Sequence, residues 1–170
     1  MKIKKILITG GAGYIGSMLS TKLLEEGYNV TVIDKMNYNP DSLNHLYSNA
    51  NFNFINDDIN KKKSIKNLKD FDIIIPLAGL VGAPLCEKNK KLANTTNYLS
   101  IKKILKKLKK NQKIIYLNTN SGYGVGKKNA FCDENSPLRP ISLYGVIKCK
   151  AEDEVKKYKN SVIFRLATVF

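Results

Sequence analysis

Tyr144 and Lys148 stand four residues apart in the run Tyr144-Gly-Val-Ile-Lys148. On a helix, positions i and i+4 share a face. A lysine cation beside a phenol favours the phenolate and lowers a tyrosine pKa from its ordinary value of about 10. A phenol lowered in this way can take a proton from an alcohol while a hydride leaves for a nicotinamide. Pro140 and Ser142 precede the pair and read as a loop leading into a helix, which puts Tyr144 in the first turn. Such a pair is common on helices, so its meaning depends on what surrounds it. Upstream, Tyr116-Leu-Asn-Thr-Asn-Ser-Gly-Tyr-Gly124 is an apolar strand giving way to hydroxyls, amides and glycines. That pattern presents polar groups to a ligand, or is simply a polar turn. Asn97 is a candidate supporting residue on a helix expected over 92–110, or a solvent-facing amide.

The second constellation lies at the start of the chain. An apolar run, Ile3 to Ile8, ends in glycines at 10, 11, 13 and 16, and an apolar-periodic segment follows from Tyr14 to Leu24. This is a strand, a tight turn and a helix start. Gly10 can turn with positive φ, Gly13 lets backbone approach a pyrophosphate, and Gly16 lets the helix pack close to the strand. The helix N-terminus offers free N–H groups and partial positive charge to phosphates. Asn29–Asp34 reads as a second strand, and Asp34 lies 18 residues past Gly16. At about that spacing a carboxylate meets the adenosine ribose hydroxyls. Glycines, helix and acid together point to a bound dinucleotide.

Alternating strands and helices must position these groups. Strands are expected at 3–8, 29–33, 52–56, 72–76, 113–118 and 161–166, and helices at 14–26, 61–67, 92–110 and 142–158. The first helix is expected to turn Tyr14, Ile15, Met18, Leu19 and Leu23 inward and to stop near Gly27. Wholly apolar strands such as Ile73-Ile-Ile75 fit a sheet covered on both faces. The expected fold class is α/β, a Rossmann-type doubly wound parallel sheet, with ligands beyond the carboxyl ends of the strands. The whole of 1–170 reads as one such domain. Its last run, Val162–Phe170, is apolar and stops without a polar tail, so a C-terminal substrate domain is expected beyond Phe170.

Composition narrows the remaining classes. No stretch is long enough to span a bilayer, and the N-terminus enters a strand rather than a signal peptide. Cys86, Cys132 and Cys149 lack metal spacing and read as free thiols of a cytoplasmic protein; no metal site is expected. His45 reads as a surface loop residue without a role. The net charge of +15 invites a nucleic-acid reading. Nearly all of it is lysine, with arginine only at 139 and 165, and the densest cluster, 102–110, reads as the solvated face of an amphipathic helix. Neither nucleic acid nor membrane is expected as a partner. The competing class is a binding module that holds RNA or a protein through this basic surface.

These motifs resemble the extended short-chain dehydrogenases/reductases, in the nucleotide-sugar epimerase/dehydratase branch, along the whole chain. Thr9-Gly-Gly-Ala-Gly-Tyr-Ile-Gly16 is similar to the family's cofactor loop, which implies contacts from Gly10, Gly13, Tyr14, Ile15 and Gly16. Asp34 matches its ribose-binding acid and implies NAD rather than NADP. Asp57-Asp-Ile59 resembles the pair that touches adenine, so Asp58 and Ile59 carry over, and Leu77-Ala-Gly79 resembles the loop beneath the cofactor. Tyr144 and Lys148 match the catalytic pair. Thr119, 25 residues before Tyr144, stands where the family places its catalytic Ser or Thr, with Asn118 and Ser121 open to the same role.

Dehydratases and decarboxylases of the branch carry an acid directly after that Thr, whereas this chain has Asn120-Ser121. The departure leaves oxidation or epimerisation at a sugar carbinol, C4 in particular. Thr168 stands where many relatives have Asn. Pro76–Cys86 and the runs Thr119–Gly124 and Pro140–Gly145 are similar to a subgroup of surface-polysaccharide synthesis that includes GDP-heptose 4-dehydrogenases. The resemblance implies a nucleotide-sugar substrate, a homodimer or higher oligomer, and a full length about twice this one.

Overall fold

Ile6, Leu7 and Ile8 are all buried, although neighbours on a strand point to opposite faces. Such a strand needs cover on both sides. The computed structural model, which describes residues 4–126, 131–167 and 169, supplies it. Strands β1 (Lys5–Thr9), β2 (Asn29–Asp34), β3 (Phe52–Asn56), β4 (Ile73–Pro76), β5 (Lys113–Thr119) and β6 (Ser161–Leu166) form one sheet in the order β3-β2-β1-β4-β5-β6. Every pairing is parallel. Ile6, Ile8, Val30, Val32 and Ile75 pack with Leu24, Leu43 and Leu46 on one face. Leu7, Ile33, Ile74, Ile114 and Tyr116 pack with Ile101, Ile104, Ala151 and Val155 on the other. The strand order reverses between β1 and β4, and that switch point opens the crevice where such sheets bind ligands.

Helix α1 (Tyr14–Glu25) follows β1 directly, and Gly27 ends it with a φ of 79°. Leu19 and Leu23 pack against the core as expected, but the rest of its inward face differs. Gly16, Ser20 and Leu24 are buried, whereas Tyr14 and Met18 are largely exposed. The cause is how closely the helix approaches the turn: a Cβ at Gly16 would lie 2.5 Å from the Gly11 Cα. Only small residues fit there, so the large side chains lie on the flanks.

Two further expectations on helices change. The segment 61–67 forms a 3₁₀ turn over Lys62–Ile65 rather than an α-helix, and a second 3₁₀ turn follows at Leu68–Asp70. The Ser64 hydroxyl bonds back to Asp57 Oδ2 at 2.8 Å and the Asp58 carbonyl at 2.7 Å, an arrangement that competes with helical bonding. The segment 92–110 starts earlier and stops sooner. Helices α2 (Ala83–Lys88) and α3 (Lys90–Asn94), a wide π turn at Thr95–Leu99, and α4 (Ser100–Leu105) form one nearly continuous stretch. Pro84 stands in the first turn of α2, where a missing N–H is harmless. At the other end, the Gln112 side chain accepts from the Lys109 N–H at 2.8 Å and closes the chain into a turn. Helix α5 (Leu143–Lys156) is capped by the Ser142 hydroxyl, which accepts from the Gly145 N–H at 3.1 Å. No helix among the described residues is long and apolar enough to cross a membrane, and no metal-binding group of side chains occurs among them.

Candidate active site

The carboxyl ends of β1, β2, β4 and β5 open into one cleft of about 1210 Å³. Its lining includes Gly10, Gly13, Tyr14, Ile15, Gly16, Asp34, Asp58, Ile59, Leu77, Ala78, Gly79, Asn97, Thr119, Tyr144 and Lys148, every site residue singled out from the sequence. Thr168 lies outside the described residues.

One end is built from backbone. Gly10 has a φ of 73°, and a Cβ there would sit 2.4 Å from the Ala78 N, so the turn and the loop after β4 touch. Gly13 faces open space apart from the Gly10 carbonyl. No side chain caps α1 and no acid occupies its first turn, so its leading N–H groups remain available to an anion. The Asp34 carboxylate accepts from the Ala12 N–H at 3.1 Å and the Met36 N–H at 2.9 Å. It therefore also ties the glycine turn to Met36, whose φ of 56° is left-handed. Asp57 is held down to about pKa 2 by the Ser64 hydroxyl and the Asp58 N–H. Burial opposes ionisation of Asp58, but the Asn60 N–H and the Lys35 ammonium at 3.4 Å outweigh it and lower its pKa. This end fits an adenosine diphosphate: uncapped N–H groups for phosphate, a gap at Gly13 for close approach, and carboxylates for ribose and base.

The other end carries Thr119, Ser121, Ser142, Tyr144 and Lys148. The Ser121 N–H donates to Thr119 Oγ1 at 3.2 Å, and that hydroxyl lies 3.1 Å from Ser121 Oγ. Tyr144 packs against the buried cluster of Cys86, Ala93 and Ile147. Here the structure corrects an expectation. Burial raises the Tyr144 pKa, with the neighbouring Cys86 adding to the rise and Thr119 opposing it. Lys148 does not lower it, because its ammonium is engaged elsewhere. Lys148 Nζ donates to the Leu117 carbonyl at 2.6 Å and lies 4.2 Å from the centre of the Tyr116 ring. Burial lowers the Lys148 pKa to about 8, against the pull of Glu152.

Asn97 lines the cleft and is buried rather than solvent-facing. Its Oδ1 accepts from the Leu80 N–H and its Nδ2 donates to the Leu80 carbonyl, both at 2.8 Å. It sits on the π turn, buried, and pins the loop after β4. Two groups that sequence reasoning missed are Glu152 and Arg165. Arg165 Nη2 donates to Glu152 Oε1 at 2.6 Å, and Arg165 Nε lies 3.2 and 3.1 Å from the two oxygens. The available signals were a carboxylate one turn beyond Lys148 and one of only two arginines in a lysine-rich chain.

Residues 6–170 match the model of the NAD dependent epimerase/dehydratase family. The chain belongs to that family. The dTDP-D-glucose 4,6-dehydratase of Dictyostelium discoideum is 32% identical over 186 residues, covering 98% of this chain and 42% of that protein. UDP-glucose 4-epimerase 3 of Oryza sativa subsp. japonica is 32% identical over 165 residues, covering 87% and 43%. Among solved structures, the UDP-glucuronic acid 4-epimerase of Bacillus cereus in complex with NAD superposes with a TM-score of 0.85 at 32% identity, covering 98% of this chain and 57% of that one. The chain spans about half the length of the relatives it matches. This epimerase/dehydratase member is of the extended short-chain dehydrogenase/reductase type, and its family is NAD dependent.

Proposed function

We propose that this chain binds NAD and carries the hydride-transfer machinery of a nucleotide-sugar epimerase or dehydrogenase acting at a sugar carbinol, C4 in particular. The observation that carries the reading is the single cleft, with a dinucleotide cradle at one end and Thr119, Tyr144 and Lys148 at the other. NAD, when bound, supplies a hydride acceptor that can also return the hydride. The chain's own residues handle the proton. Thr119 bonds the sugar oxygen and orients it. Tyr144 accepts the hydroxyl proton as hydride leaves carbon. Lys148 keeps its charge below a pH of about 8. In the free chain its Nζ is held by the Leu117 carbonyl, and turning it toward Tyr144 in the complex is what would favour the phenolate.

The carboxylates lining the cleft are Asp34, Asp57 and Asp58, all at the adenosine end. Elimination of water needs a further acid/base beside the sugar in addition to Tyr144, and no carboxylate is among the described lining residues at the reacting end. This favours a redox step over dehydration. The reading is tested by giving the protein that carries this domain NAD and a panel of UDP-, dTDP-, CDP- and GDP-linked sugars, GDP-heptose included. Exchange of C4 epimers, or accumulation of a ketone with reduced nicotinamide, is expected. Loss of water as the main reaction, or turnover of none of these sugars, would contradict it.

A further inference from the structure

Glu152 is the one charged side chain in the fully buried set among the described residues. Three side chains converge on it, two of them from neighbouring strands. Arg165 of β6 holds both its oxygens, Lys156 Nζ lies 2.7 Å from Oε1, and Asn118 Nδ2 of β5 donates to Oε2. Arg165 continues to the Tyr123 hydroxyl at 3.1 Å and the Glu134 carbonyl at 3.2 Å. Stability alone does not explain such a group, because well-packed apolar residues often replace a buried ion pair without loss. Its place in the fold gives another reason. Leu117, Asn118 and Thr119 are consecutive at the end of β5. Leu117 is bound by Lys148 and Asn118 by Glu152, so successive turns of α5 grip successive residues of the strand that ends in Thr119. The same helix carries Tyr144 in its first turn.

We propose that Glu152, held by Arg165, is a positioning residue for the reaction: through Asn118 it fixes the Thr119 end of β5 against α5, and its buried negative charge stands one turn from Lys148 on the same helix face. This rests on the reaction proposed above. The charged and titratable groups packed around Lys148 are Tyr144, Cys149 and Glu152 on α5 and Tyr116 on β5, with Cys86 of α2 beside Tyr144 and with Arg165 and Lys156 behind Glu152. Glu152 is the carboxylate that opposes the loss of charge burial imposes on Lys148.

The test begins with the 170-residue chain, labelled with ¹³C at lysine Cε, with Lys148 assigned from a Lys148→Arg spectrum. The Lys148 titration midpoint is expected near 8. It is expected to fall by about one unit in Glu152→Gln and to return in Glu152→Asp, which restores the charge. In the protein that carries this domain, Glu152→Gln is expected to lower kcat at least about tenfold, with KM within about twofold. The alkaline limb of its pH profile should move down with the midpoint. Asn118→Ala leaves the ion pair intact; it should lower kcat without moving the midpoint, and it carries the test if Glu152→Gln does not fold. Wild-type midpoint, limb and kcat per folded molecule in Glu152→Gln, or wild-type kcat in Asn118→Ala, would overturn the proposal. Tyr144→Phe runs alongside: activity there removes the proposed reaction, whereas an inactive Tyr144→Phe beside an unaffected Glu152→Gln removes only the positioning role.

Discussion

Tyr144→Phe, in the protein that carries this domain, is expected to lose about 100- to 10,000-fold in kcat, the usual worth of a positioned proton acceptor. The ring remains, so its packing against Cys86, Ala93 and Ile147 is kept. Only the hydroxyl goes, and with it the group that removes the proton from the sugar. NAD affinity should stay close to wild type, because the diphosphate cradle is built from Gly10 to Gly16 and Asp34 at the other end of the cleft. Stopped-flow measurement of nicotinamide reduction separates the chemical step from binding. A full-rate variant would assign the proton to another group.

Arg165→Met is expected to destabilise the fold by about 3–5 kcal/mol, because it strands a buried charge. Glu152 would keep Asn118 and the half-exposed Lys156, but it would lose the guanidinium that bonds both its oxygens. The double variant Arg165→Met/Glu152→Met should recover most of the loss, since the penalty lies in the unpaired charge and not in the missing pair. Acid should act through the same group. Burial would raise the Glu152 pKa, but bonds from Arg165, Lys156 and Asn118 outweigh it and hold the carboxyl at about 2. A carboxyl depressed in the fold stabilises above its unfolded pKa, of about 4.3, and that contribution is lost as pH falls through the folded value. Wild type should therefore lose this stability on acidification from about pH 4 towards 2, and the double variant should show less of that loss. Urea unfolding across that range measures both effects. A fully stable Arg165→Met would show that the pair contributes nothing.

The order of elements and both ends of the cleft were legible because their signals are local. Glycine spacing fixes a turn, an apolar run fixes a buried strand, and Tyr144 and Lys148 share a helix face whatever lies around them. Contacts between distant segments were not legible. Met18 reads as core by periodicity, yet the close approach of Gly16 to Gly11 pushes it out. Ser64 sits in a helical pattern, but its hydroxyl is claimed by Asp57 from outside that segment. Asn97 had two readings from sequence, and the loop that it pins, at Leu80, lies 17 residues away. The state of Tyr144 depended on where a flexible ammonium points. The i,i+4 spacing placed Lys148 on the correct face, but its Nζ turns to the Leu117 carbonyl.

Calorimetric titration of the 170-residue chain with NAD and with NADP bears most directly on the cleft as a dinucleotide cradle. Saturable binding of NAD is expected, with NADP weaker by at least about tenfold because its 2′-phosphate would meet the Asp34 carboxylate. A folded sample that takes up no NAD, or that prefers NADP, would contradict the account.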